Sequence, residues 1–90
     1  MERYTSPFFN RKLKRMSKKN KDILDLFDEK WSVFRKNRDH PALRLHKLSG
    51  TLHNRWSISL SRDVRVIFEY VDDGVLFLDV GSHDEVYLKK

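Results

Sequence analysis

From residue 56 the chain alternates. Trp56, Ile58 and Leu60 are interleaved with Ser57, Ser59 and Ser61, the period-two pattern of a strand buried on one face. Arg62-Asp63 reads as a turn. Residues 64–71 repeat the pattern, with Val64, Val66, Phe68 and Tyr70 on one side and Arg65, Ile67 and Glu69 on the other. Asp72-Asp73-Gly74 is a hairpin signal, and residues 75–80 close a three-strand meander with Leu76, Leu78 and Val80 expected inward. Upstream the period lengthens. Ser6-Pro7 reads as an N-cap followed by proline at the first helical position, after which Phe9, Leu13 and Met16 keep helical spacing. Residues 17–20 are polar and predict a tight turn. Ile23, Leu24, Phe27, Trp31 and Phe34 then form the apolar stripe of a second helix. That helix ends by Asp39-His40-Pro41, because a residue before proline is pushed out of the α region. Residues 2–5 read as a short edge strand and residues 42–50 as a basic connector closed by Gly50.

The order β-α-α-β-β-β predicts an α+β fold: two N-terminal helices packed on one face of a small antiparallel sheet. Residues 1–90 are expected to form one domain with a single modest core. Helices on one face leave the other free, and on the central strand that free face carries Arg65 and Glu69. It is the natural place for a site.

Composition narrows the function. The chain has no cysteine, which excludes a disulfide framework or a thiolate metal site and makes the cytoplasm the expected compartment. No apolar run approaches the ~20 residues of a membrane span, so no membrane role is expected. The net charge is +6 and is unevenly placed. Residues 1–21 hold eight basic side chains against Glu2 alone, whereas residues 71–90 hold five acids against Lys89 and Lys90. Such asymmetry fits contact with nucleic acid or the ribosome; a solvated helix face is the plainer reading.

Several side chains suited to RNA phosphodiester cleavage fall at the ends of the meander. The reaction needs a base for the 2′-hydroxyl, an acid for the leaving 5′-oxygen and cations at the phosphorane. His46, entering the sheet, and His83, leaving it, are candidate acid and base. Arg65 is placed to clamp phosphate, with Lys47 and Arg55 as further cations. Tyr87, four positions after His83, can stack on a base or donate a proton. Each also has a structural reading: surface histidines, an Arg65–Glu69 ion pair, an aromatic cap at Tyr87, a turn aspartate at Asp63. His40 and His53 read as loop residues. No histidine stands at metal-ligand spacing with another ligand, and neither metal nor cofactor is expected.

The ordered series His46-Lys47-Leu48-Ser49-Gly50, Trp56-Ser57-Ile58, residues 63–68 and Gly81-Ser82-His83 with Tyr87 resembles the RelE/ParE superfamily of bacterial toxins, most closely its YafQ-like mRNA interferases. The resemblance implies a RelE-like fold and a ribosome-dependent endoribonuclease of a type II toxin–antitoxin system, with mRNA as substrate and a cognate antitoxin as partner. It implies catalytic roles for His46, Asp63, His83 and Tyr87, and RNA-binding roles in the RelE style for Lys47 and Arg65. Two positions depart from the pattern. Ser59 stands where YafQ-like members usually carry histidine, and Asp79 where a basic residue is common.

Two other readings stay open on the sequence. A ParE-like topoisomerase inhibitor would share the fold but has no use for a His46, His83 and Tyr87 cluster. A non-catalytic homologue would use its positive charge to hold an acidic antitoxin. In all three readings the helices or the sheet edge are expected to take a helix or extended segment of the antitoxin.

Overall fold

The computed structural model describes residues 1–48 and 54–87. Ser49, Gly50, His53, Lys89 and Lys90 lie outside the described residues. The chain runs β1 (Glu2–Thr5), α1 (Pro7–Ser17), α2 (Ile23–Lys36), a 3-10 turn (Pro41–Leu43), β2 (His46–Lys47), β3 (Trp56–Ser59), β4 (Arg65–Val71), β5 (Gly74–Gly81) and α3 (His83–Tyr87). The sheet order is β1-β5-β4-β3-β2. The three-strand meander, both helices and the N-terminal edge strand are as the sequence predicts.

The sheet is mixed. β1 pairs with β5 in parallel, Glu2 opposite Gly74 and Thr5 opposite Phe77, while the remaining pairs are antiparallel. Gly74 has its reason here. A Cβ at that position would lie 2.0 Å from the Glu2 carbonyl oxygen, so only glycine lets the backbone of β1 approach so closely. Tyr4 fastens the same strand by donating to Asp73 Oδ2 at 2.8 Å. That bond, with the carboxylate's charge, holds the phenol above its ordinary value of 10.0.

The helices pack as their stripes require. Ser6 accepts from the Phe9 amide at 3.1 Å, a cap contributing about 1 kcal/mol. Phe9, Phe27, Trp31, Phe34, Phe68 and Phe77 are buried in one cluster with Ile58, Val66, Val75 and Val80, Phe27 meeting Phe77 edge-on at 4.8 Å. Leu24 is the exception among the α2 positions expected inside; it is exposed, because Ile23 and Phe27 already span the buried stripe.

On β5 the inward residues are Val75, Phe77 and Val80, and Leu76 and Leu78 lie outside the core. A β-bulge explains the change of phase. Phe68 pairs with Phe77 and Ile67 with Asp79, so Leu78 is the extra residue and shifts the alternation by one. The segment expected as a connector contains the 3-10 turn and the two-residue strand β2, paired to β3 with His46 opposite Ser57. Leu48 adds one more bond from its amide to the Arg55 carbonyl at 2.8 Å.

Opposite the main core, the sheet is only partly free. Helix α3 lies across it, and Val86 packs with Leu48 and Ile67 in a small second cluster that Tyr87 flanks. The residues Ser82-His83-Asp84-Glu85 start this helix as a capping box: the Glu85 amide donates to Ser82 Oγ at 3.2 Å, and the Ser82 amide donates to Glu85 Oε1 at 3.0 Å. That signature is visible in the sequence, and the third helix could have been read from it.

Candidate functional site

Between β2 and α3 the outer face of the sheet holds an open cleft of about 500 Å³, lined by Arg44, Leu45, His46, Leu48, Arg65, His83 and Tyr87. Each wall follows from local structure. The 3-10 turn ends at Arg44, which adopts φ 49° and ψ 49°, a left-handed conformation that costs a non-glycine residue roughly 1–2 kcal/mol. His46 then enters β2. Across the cleft the capping box sets the first turn of α3, and four-residue helical spacing brings His83 edge-on to Tyr87 with ring centroids 4.2 Å apart.

Arg65 forms the floor. It enters β4 paired with Ser59 on one side and Gly81 on the other. Its Nε donates to the Tyr87 hydroxyl at 2.6 Å. Nη2 donates to the Arg44 carbonyl at 2.9 Å and to Ser57 Oγ at 3.0 Å. Ser57 Oγ and the Tyr87 hydroxyl share a further, short hydrogen bond. Of the five guanidinium donors, three are therefore held by protein. Nη1 has no protein acceptor among the described residues and remains for a ligand oxygen. Arg65 does not pair with Glu69, as the plainer reading of the sequence had it. Glu69 instead accepts from Arg55 Nε at 3.3 Å, which leaves Arg65 to the cleft.

The structure thus brings His46, Arg65, His83 and Tyr87 around one cleft. Asp63 sits beside it, in an adjoining depression shared by Arg44, Arg62, Arg65, Ser82, His83 and Asp84. Lys47 and Arg55 are elsewhere: Lys47 Nζ lies 5.7 Å from the centre of the Trp56 ring, and Arg55 is engaged with Glu69. Alternation along β2 accounts for this, since Lys47 faces the side of Trp56 while His46 faces that of Ser57. His40 is occupied locally, its Nδ1 accepting from the Ala42 amide at 3.1 Å.

Two members of the site escaped sequence reading. Ser57 is fully buried and looks in the sequence like any polar position of an alternating strand. Arg44 contributes through a backbone carbonyl turned by its unusual φ, for which the sequence gives no sign. The two departures from the family pattern are both absorbed by structure. Ser59 Oγ donates to the Ser61 carbonyl at 2.6 Å, and Asp79 accepts from Lys12 Nζ at 2.8 Å. Neither lines the cleft.

Among the described residues no group of three or more His, Asp or Glu side chains is placed to hold a metal ion, and no helix is long and apolar enough to cross a membrane.

Solved structures share the fold closely. A copper-bound single-substitution mutant of a toxin from Helicobacter pylori superposes with a TM-score of 0.81 at 20% identity, covering 97% of this chain and 99% of that one. YafQ from E. coli strain BL21(DE3) gives 0.75 at 14% identity, covering 96% and 97%. A chain of the E. coli DinJ-YafQ complex gives 0.69 at 16% identity, covering 96% and 97%. No curated protein sequence matches the chain. The family described as "Bacterial toxin of type II toxin-antitoxin system, YafQ" matches residues 1–88, and with the RelE-like fold and its cleft in place the chain is a member of that family: a toxin of a bacterial type II toxin–antitoxin system.

Proposed function

We propose that this toxin is an endoribonuclease that cleaves mRNA on the ribosome in the cleft between β2 and α3. The observation that carries the reading is the grouping of two imidazoles, His46 and His83, with Arg65 and Tyr87 around one open cleft. One imidazole takes the proton of the 2′-hydroxyl as its oxygen attacks the adjacent phosphorus. The P–O5′ bond breaks, a proton from the acid goes to the leaving oxygen, and the products are a 2′,3′-cyclic phosphate and a 5′-hydroxyl. Arg65 Nη1 meets the phosphorane charge, and because the rest of its guanidinium is already bonded it needs little reorganisation. Tyr87 contributes a ring face beside the reacting nucleotide and a hydroxyl held by Arg65 and Ser57. Asp63 stands at the rim, in the depression it shares with Arg62, Arg65 and His83, and adds negative charge beside His83 there.

Lys47 and Arg55 serve in this reading as outlying cations for the polymer and not as contacts at the reacting phosphate. A protein antitoxin neutralises the toxin. The DinJ-YafQ complex is the precedent within the fold, and a net charge of +6 suits an acidic partner.

The test is incubation of the purified toxin with mRNA on programmed ribosomes, with mapping of the new ends. New 5′-hydroxyl ends with wild type and their loss in His83→Ala are expected. Intact mRNA together with blocked DNA supercoiling would transfer the protein to the topoisomerase reading.

A further inference from the structure

One charged side chain of the interior takes no part in the cleft. Lys12 belongs by sequence to the basic face of α1, yet only 7% of it is exposed, and among the described residues it is the one buried charged residue. Its Nζ lies 2.8 Å from Asp79 Oδ1 and 3.9 Å from Glu85 Oε2. The topology makes this reach possible. The pairing of β1 with β5 ends at Thr5 opposite Phe77; beyond that point no described strand pairs with this edge of β5, and Lys12 of α1 reaches Asp79 there.

Each carboxylate that Lys12 meets is also tied to the backbone around α3. Asp79 Oδ1 accepts from the Val80 amide at 2.8 Å, two positions before the capping residue. Glu85 Oε1 accepts from the Ser82 amide while Oε2 faces Lys12. Gly81 gives Glu85 its room, since a Cβ there would meet Glu85 Oε1 at 2.9 Å. A helix of five residues does not persist by its own hydrogen bonds. Here its end is held by Val86 in the small apolar cluster and by the Tyr87 hydroxyl on Arg65 and Ser57, and its first turn by the capping box and by the ammonium that bridges strand and box.

We propose that Lys12 is a positioning residue for the site: through Asp79 and Glu85 it fixes the first turn of α3, and with it the places of His83 and Tyr87 in the cleft. Asp79, a carboxylate where relatives are commonly basic, is then the strand anchor of this tether. The effect on cleavage rests on the nuclease reading above; the effect on α3 does not.

Amide hydrogen exchange on the purified toxin reads the tether directly. In Lys12→Met the Glu85 and Val86 amides are expected to exchange about 10-fold faster or more, with Phe68 and Phe77 unchanged, and Lys12→Arg is expected to keep the wild-type pattern. On programmed ribosomes Lys12→Met is expected to lower kcat about 10- to 100-fold with little change in KM. Should Lys12→Met fail to fold, Asp79→Asn removes the same ion pair at nearly constant shape and is expected to loosen α3 alone. Unchanged exchange in α3, or equal loss of protection through β4 and β5, overturns the proposal. A wild type that leaves mRNA intact removes the nuclease reading, and the exchange pattern then decides the tether by itself.

Discussion

Arg65 Nε donates to the Tyr87 hydroxyl across 2.6 Å, so a residue entering β4 and one at the end of α3 are joined at the floor of the cleft. The bond orients both groups: it aims the phenol and, with the two Nη2 bonds, leaves Nη1 as the guanidinium nitrogen without a protein acceptor among the described residues. Lysine keeps the charge at position 65 but offers one ammonium in place of a planar fork. Arg65→Lys is therefore expected to lose most cleavage, about 10²-fold or more in kcat. End-point mapping on programmed ribosomes checks this, and wild-type cleavage by the lysine variant would show that charge alone suffices.

Ser57 and Tyr87 form the second link of the same network. Ser57 is fully buried, and removing its hydroxyl takes a partner from both Tyr87 and Arg65. Ser57→Ala is expected to destabilise the fold by about 1 kcal/mol. With Tyr87→Phe, the double mutant should lose less than the two single effects together, by at least about 0.5 kcal/mol. Urea denaturation of the four proteins measures this coupling; strict additivity would mean the shared hydrogen bond contributes nothing.

The proposed mechanism gives different work to the residues that line the cleft and to the cations outside it. His46 and His83 line the cleft, and each alanine variant is expected to lower kcat by about 10²- to 10⁴-fold. Lys47 and Arg55 lie outside it, one over Trp56 and the other on Glu69. Lys47→Ala and Arg55→Ala are expected to raise KM and weaken its salt dependence while leaving kcat near wild type. Rate measurements across ionic strength distinguish the two groups.

These contrasts also show what local patterns can carry. Period-two alternation placed Arg65 and Ile67 on the outer face, and helical spacing placed Phe9, Phe27 and Trp31 in the core, because burial selects residue types at fixed intervals. On β5 the alternation points Leu76 and Leu78 inward, yet both lie outside the core, since a bulge shifts phase without altering composition. That His46 and His83 stand at the entry and the exit of the sheet is legible in the sequence, and the cleft they share follows from it. The Arg44 carbonyl, the burial of Ser57 and the descent of Lys12 to Asp79 are not legible there. Each depends on which distant segments meet, and residues 12 and 79 meet only after the sheet has closed.

Tyr4 gives a pH-dependent contribution of known sign. Its phenol donates to Asp73, and this bond raises the folded-state pKa above the unfolded value of 10.0. The stabilisation is complete below the unfolded pKa and disappears as pH rises through the folded one. Stability of wild type relative to Tyr4→Phe is thus expected to be constant near neutrality and to shrink above about pH 10. Denaturation of both proteins across alkaline pH tests it, and a gap that widens with pH would contradict the assignment.

The attachment of β1 provides the sharpest structural test. Gly74 looks like the glycine of the Asp72-Asp73 hairpin, yet Gly74 is already paired with Val71 at the first position of β5. What demands glycine is the neighbouring strand, because an added Cβ would fall 2.0 Å from the Glu2 carbonyl oxygen. No side-chain rotation relieves a clash with backbone, so β1 must move. Gly74→Ala is expected to cost roughly 1–3 kcal/mol, the range for overpacking a closed interior. The loss should appear first as faster exchange of the Glu2 amide, whose bond to the Asp73 carbonyl spans 2.9 Å. Cleavage should persist below the unfolding transition, since His46, Arg65, His83 and Tyr87 lie on elements that β1 does not touch at the cleft. A Gly74→Ala protein with wild-type stability would show that β1 is not held in this register; one that is stable but unable to cleave would place β1 in the site itself.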